Sequence, residues 1–314
     1  MIMAQHKAIE VKSVTRKFGK LVAVDDLSFS VERGEIFGLL GPNGAGKTTI
    51  INLILGLLKA HQGDISVLGF DINSQTRQVY HRVGYVPQET NLYQDLSAID
   101  NLWHHAALYC QDLSFVKDRM EELLLFTNLW QRRKDPVRTF SGGMKRRLAL
   151  ARALMHDPEV IFFDEPTLGV DVQGRFALWE YIQQQREDGR TFVISTNNMV
   201  EADTLCDQLV IIDHGQVIAL DSPENLKAGM QYDVVSIHTS PQIADPENLF
   251  STFSVQNITQ LEPGCLRFEL ENADTRTEDL INTITKEHQL DSILIARPSL
   301  DDVFLFHTGR ALRE

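Results

Sequence analysis

The apolar run 36–40 ends in Gly41-Pro42-Asn43-Gly44-Ala45-Gly46-Lys47-Thr48-Thr49, and a helical stretch, 46–58, follows. Strand, G-x-x-x-x-G-K-[ST] and helix in that order form a phosphate loop. Glycine at 41, 44 and 46 lets the backbone wrap closely, so that successive N–H groups of the loop, Asn43 and Ala45 included, point at phosphate oxygens. The helix adds its positive N-terminal end. Lys47 can reach the β- and γ-phosphates as a point charge, the Thr48 hydroxyl suits Mg²⁺, and Thr49 can donate to the α-phosphate. The motif predicts nucleoside triphosphate binding within an α/β domain.

A second apolar run, 160–163, ends in Asp164-Glu165. At a strand end, Asp164 is placed to hold Mg²⁺, directly or through water. Glu165 then stands near the attacking water as a general base. Many strands end in a solvated acidic turn, and it is the phosphate loop upstream that gives this pair its chemistry.

Short β-rich runs alternate with helical stretches up to about residue 220, the pattern of an α/β domain. Early strands are expected at 9–14 and 27–31. The runs 36–40, 160–163, 192–195 and 209–213 are apolar on both faces, as in central parallel strands covered by helices. Residues 97–130 read as helical, Pro136 breaks that region, and another helix begins near Ser141. Ser222 and Pro223 suit an N-cap and a first helical position. After Gly229 the pattern changes to strands at 234–238, 266–270 and 293–296 with a helix at 278–287, a small α+β unit. A length of 314 residues, at about 150 per domain, also suggests two domains. The expected partition is 1–230, with a helical subdomain at about 89–158, and 231–314.

The segment Phe140-Ser141-Gly142-Gly143-Met144-Lys145-Arg146-Arg147 places Ser-Gly-Gly at a helix start with no bulky side chain in front of it. Alone, it is an ordinary N-cap before a basic helix. The ordered set is more specific: phosphate loop, then Gln88 in Tyr85-Val86-Pro87-Gln88, then Ser-Gly-Gly, then the carboxylate strand about 20 residues on. It resembles the ATP-binding cassette (ABC) ATPases, P-loop NTPases with a helical subdomain, over residues 8 to about 227.

That resemblance implies roles position by position. Phe18 matches the aromatic that stacks on adenine, although a lone Phe is as often a loop or core residue. Gln88 matches the glutamine that senses Mg²⁺ and the attacking water and couples to a membrane partner. Ser141, Gly142 and Gly143 match the signature that closes over the γ-phosphate of the opposite protomer, and Asp171 matches the loop that crosses the dimer interface. The family implies a homodimer, head to tail, with two ATP molecules between cradle and signature, driving a separate membrane permease.

One position departs from the family. After strand 192–195, Asn197 stands where the family has a histidine on the γ-phosphate, and no histidine follows within reach in sequence. Asparagine donates a hydrogen bond but carries no charge and relays no proton. Losing a well-placed transition-state contact costs about 2.7–4 kcal/mol, or about 10²–10³ in rate. Either ATP is hydrolysed slowly, or closure on ATP is itself the functional event in a mechanical or regulatory subunit. With Glu165 and Lys47 retained, slow hydrolysis is the expectation. Met144, where glutamine is common, is expected to matter little.

Residues 297–310, ending in Phe304-Leu305-Phe306-His307-Thr308-Gly309-Arg310, resemble the accessory domain of drug-resistance-type exporter ATPases. No run approaches the about 18–20 apolar residues of a membrane helix, and the N-terminus lacks a signal-peptide core. A cytoplasmic ATPase subunit, peripheral on the membrane through its permease, is therefore expected. Its docking surface is expected near 88–102, where Leu92, Tyr93 and Leu96 are either exposed contacts or core. The net charge of −13, of which residues 231–314 carry −8, opposes nucleic-acid binding and with it DNA-repair or ribosome-associated cassettes. Cys110, Cys206 and Cys265 form no Cys-x-x-Cys pair and are expected as reduced core thiols.

Overall fold

A computed structural model describes residues 7–309, apart from Gln111 and Leu113. Residues 1–6, which bear the N-terminal reading, and Arg310 lie outside the described residues. The chain divides into one compact unit up to Pro223 and another from Glu224.

In the first unit, β1 (Lys7–Phe18) and β2 (Leu21–Glu32) pair antiparallel. Together with β4 (Gln62–Val67) and β5 (Phe70–Asp71) they form a sheet of order β2-β1-β4-β5. Between them in sequence come β3 (Ile36–Leu40) and α1 (Lys47–Ile54). Then follow α2 (Thr76–Tyr80) and β6 (Val83–Val86). Three helices come next: α3 (Ala98–Tyr109), α4 (Val116–Phe126) and α5 (Gly142–Ala153). The chain re-enters the core as β7 (Val160–Asp164), α6 (Val172–Glu187), β8 (Thr191–Thr196), α7 (Met199–Leu205) and β9 (Gln208–Asp213). It closes with β10 (Gln216–Asp221), and α8 (Pro223–Ala228) belongs to the second unit from Glu224 on.

The second sheet has order β10-β9-β3-β8-β7-β6, parallel except for β10. Every residue of β3, β7 and β8 is buried, as continuous apolar runs predict. Ile50, Ile51, Leu53 and Ile54 of α1 share one core with Val24, Leu27 and Phe29 of the first sheet and Phe37, Phe162 and Val193 of the second. The helix after the phosphate loop is thus held from two sides. It ends four residues before the expected Leu58. Gly56 adopts φ 67°, and the N–H groups of Leu57 and Leu58 turn back to the Asn52 carbonyl.

The second unit is a four-stranded antiparallel sheet of order β12-β13-β11-β14: β11 (Asp233–Ser240), β12 (Val255–Glu262), β13 (Cys265–Leu270) and β14 (Gln289–Ala296). α9 (Pro246–Leu249), α10 (Ala273–Thr285) and α11 (Leu300–Thr308) complete it. α10 begins at Ala273, five residues before the expected Glu278, because Asp233 accepts the Ala273 N–H at 3.0 Å and fixes the helix start. Phe250, Phe268, Leu270, Leu280 and Ile284 fill its own core.

The open alternatives at 92–96 resolve side chain by side chain, and the cysteine expectation changes. Leu92 is 7% exposed and belongs to the core, Leu96 is half-buried, and Tyr93 is exposed. Of the cysteines only Cys206 is buried, packed beneath Gly38, while Cys110 and Cys265 are partly exposed. Among the described residues, no helix is long and apolar enough to cross a membrane.

Candidate nucleotide site

The phosphate loop leaves β3 where Gly41 donates its N–H to the Thr196 carbonyl at 3.3 Å. A Cβ on Gly41 would lie 2.2 Å from the Ile212 carbonyl oxygen, so only glycine passes between β9 and the loop. Gly46, at φ 110°, also leaves no room, since an added Cβ would lie 2.6 Å from the Ala23 carbonyl oxygen. The Gly46 N-cap supplies no side-chain cap, and the first turn of α1 holds no acidic residue. That leaves a positive helix end open to an anion.

Lys47 is 5% exposed and donates to the carbonyls of Gly41 (2.8 Å) and Pro42 (3.1 Å), while Glu165 Oε1 lies 3.6 Å from its Nζ. Burial pushes its pKa down, and the charges of Glu165 and Asp164 oppose that. Thr48 Oγ1 donates to the Asp164 carboxylate at 3.0 Å, and Ser195 Oγ donates to Asp164 Oδ1. A threonine hydroxyl beside a buried carboxylate is a hard-oxygen pair of the kind Mg²⁺ selects, so the residues present fit that ion. Gln88 Nε2 donates to Glu165 Oε2 at 3.4 Å.

Glu165 takes φ 50°, a left-handed conformation uncommon for a non-glycine residue, and its N–H is shared between the Ser195 carbonyl (3.0 Å) and Ser195 Oγ (3.2 Å). Such strain persists where surrounding structure over-determines it, and it clusters at active sites. Around these groups lies a cavity of about 630 Å³, lined by Phe18, Asn43, Gly44, Gly46, Lys47, Thr48, Thr49, Gln88 and Glu165, with His214 and Gly215. Phe18 is 44% exposed, with the Arg16 guanidinium 4.7 Å from its ring centre.

The remaining expected site residues stand elsewhere. Ser141 caps α5, accepting the Met144 N–H at 3.3 Å, and Asp171 caps α6, accepting the Gly174 N–H at 2.7 Å. Ser141, Gly143 and Asp171 line a different cavity, of about 530 Å³. A Cβ on Gly142 or Gly143 would meet nothing within 4 Å. Asn197 is half-buried, does not line the Lys47 cavity, and makes no side-chain hydrogen bond among the described residues.

Three further residues contribute to the site. Ser195 orients Asp164 and Glu165, His214 lines the cavity, and Arg146 donates to the carbonyls of Pro87, Gln88, Asp164, Glu165 and Pro166. The apolar run into Asp213 followed by His214-Gly215 was a signal for a strand-end turn beside the loop. Nothing in sequence marks Arg146, because its partners are main-chain atoms.

A phosphate loop at the end of a central parallel strand, with a strand-end carboxylate against its threonine, defines a P-loop nucleotide-binding ATPase. Residues 24–168 match the family model described as ABC transporter, and residues 222–308 match the model for the C-terminal domain of DrrA1-3-like ATP-binding proteins. The chain is 35% identical to the linearmycin resistance ATP-binding protein LnrL of Bacillus subtilis (strain 168), over 98% of this chain and 100% of the relative. It is 36% identical to a Nod factor export ATP-binding protein I of Ralstonia nicotianae, over 98% of this chain and 95% of that one. A structure of the ATP-binding subunit of an ABC transporter superposes with a TM-score of 0.67 at 30% identity, covering 71% of this chain and 93% of the other. A dimeric ATP-binding cassette bound to ADP and phosphate matches with a TM-score of 0.64 at 25% identity, over 68% and 98%. The chain belongs to the ABC transporter ATP-binding family, and is an ATP-hydrolysing subunit of a transporter.

Proposed function

We propose that two copies of this chain close head to tail over two ATP molecules and drive export through a separate membrane permease. The carrying observation is that the Lys47 cavity and the Ser141–Gly143 helix start are separate surfaces of the same unit. Each protomer then holds ATP on its own phosphate loop and covers the γ-phosphate of its partner with the Ser141 end of α5. Glycine at 142 and 143 costs the helix about 1 kcal/mol each relative to alanine. The protomer's own packing does not call for it, since an added Cβ meets nothing. A phosphate approaching from outside does.

Lys47 neutralises phosphate charge, and the α1 N-terminus adds backbone donors. Thr48, Asp164 and Gln88 would hold Mg²⁺, which would supply charge stabilisation on the transferred phosphoryl group. Glu165 accepts a proton from the attacking water, with Gln88 orienting that water and Ser195 fixing the Glu165 backbone. Export as the direction, and location at the membrane through the permease, rest on relatives named for resistance and for export. Asp171 crosses between protomers beside the signature.

Steady-state ATP hydrolysis by Ser141→Arg tests the pairing. A bulky cation at the α5 start should lower kcat by about 10²-fold, the scale of one lost transition-state donor. Binding of a fluorescent ATP analogue to the Lys47 cavity should change by less than about threefold. Unchanged turnover would contradict the pairing.

A further inference from the structure

Arg146 stands in the second turn of α5 and is part-buried where it meets its partners. A guanidinium carries five N–H donors in a rigid planar fork. Here each of the five has a main-chain carbonyl. Nε donates to Pro166 (3.3 Å), Nη1 to Pro87 (2.5 Å) and Gln88 (3.0 Å), and Nη2 to Asp164 (2.9 Å) and Glu165 (2.8 Å). No ion pair to Arg146 occurs among the described residues. Carbonyls from two segments, 87–88 after β6 and 164–166 at the end of β7, therefore converge on one side chain of a third element. One helical stretch further on, Arg152 donates to Asn91 (2.7 Å) and Thr90 (3.0 Å), so the segment 87–91 is tied to α5 at four carbonyls.

We propose that Arg146 is the positioning residue that binds the Gln88 segment, the Glu165 turn and helix α5 into one body, coupling the two ATP sites. This rests on the head-to-tail reading above. Gln88 and Glu165 face the ATP on their own protomer, whereas the Ser141 end of α5 faces the ATP on the partner. A displacement of Gln88 or Glu165 on ATP binding is passed through the Arg146 fork to α5, and so to the other site. The guanidinium itself touches neither nucleotide nor water. Lysine in its place can donate at most three hydrogen bonds without a planar fork, and methionine none.

The experiment compares the full-length wild type, Arg146→Lys and Arg146→Met in steady-state ATP hydrolysis over a range of ATP concentrations. Binding of a fluorescent ADP analogue and the melting temperature are measured alongside. Wild type should be cooperative in ATP. Arg146→Met should lose about 10- to 100-fold in kcat, the scale of a misplaced catalytic group, with its Hill coefficient falling to about 1. Its ADP affinity should stay within about threefold. Arg146→Lys should recover part of both kcat and cooperativity. Retained cooperativity in Arg146→Met overturns the proposal. So does a loss in which kcat, ADP affinity and melting temperature fall together with no recovery in Arg146→Lys, since that is the signature of a merely structural residue. A wild type that hydrolyses ATP without cooperativity, and whose Glu165→Gln form stays monomeric in ATP, removes the paired-site reading and the coupling with it.

Discussion

Thr48 and Asp164 are 116 positions apart in the chain and meet at 3.0 Å. Their meeting was legible because each follows a central apolar strand, and parallel strands deliver their C-terminal ends to one edge of the sheet. Lys47 and Glu165 were legible for the same reason. Arg146 and Ser195 were not, since main-chain carbonyls and N–H groups leave no residue-type pattern to read. Asn197 was legible only against the family, and the structure adds that it stands outside the cavity wall, directly after the Thr196 that holds Gly41. A charged hydrogen bond contributes about 1.5–3 kcal/mol and a neutral one about 0.5–1.5. Asn197→His should therefore raise steady-state ATP turnover about tenfold, measured with the native permease present. Unchanged turnover would mean that Asn197 does not limit the reaction.

Among elements, β3, β7, β8 and β9 were readable as unbroken apolar runs, whereas β12 was not. It is an edge strand, Val255-Gln256-Asn257-Ile258-Thr259-Gln260-Leu261-Glu262, with no fully buried position, so no inward face imposed a pattern. α11 carries a capping box between Ser299 and Asp302, a local start signal written in the sequence itself.

The packing of α3 has a pH consequence. His156 Nε2 lies 3.0 Å from the Val83 carbonyl and must donate to it, leaving Nδ1 to accept from His105 Nε2 at 3.3 Å. Burial, aided by His156 and Arg152, pushes the His105 pKa from 6.5 down to about 3. Between those values the unfolded chain binds the proton and the folded chain does not. Stability is therefore full above pH 6.5 and declines below it, by at most about 1.4 kcal/mol per pH unit. Glu35, held up to about 7 by burial, titrates in the opposite sense over part of that window. The difference between wild type and His105→Gln isolates His105, because glutamine keeps a donor toward His156 and does not titrate. Urea unfolding followed by tryptophan fluorescence reports on the first unit, which holds Trp103, Trp130 and Trp179. From about pH 7.5 to about pH 5, wild type should lose about 2 kcal/mol more than the variant. Equal losses would contradict this reading of the histidine pair.

For the whole molecule, the compact units divide between Pro223 and Glu224, whereas the sequence pattern changes near residue 230. The small difference arises because α8, written as a tail of the first domain, packs as the head of the second. Most of the acidity of residues 231–314 lies in the segment up to Ala311 that forms the second unit, while the charges at the phosphate loop are Lys47 against Asp164 and Glu165. What no single chain displays is the closed site, because in the proposed dimer half of each site comes from another copy. Light scattering on the full-length Glu165→Gln chain, with and without ATP and Mg²⁺, measures this directly. Head-to-tail pairing predicts the 35.6 kDa protomer mass without nucleotide, a doubling with ATP, and no doubling when Ser141→Arg is added. A mass indifferent to ATP, or a doubling indifferent to Ser141→Arg, would contradict it.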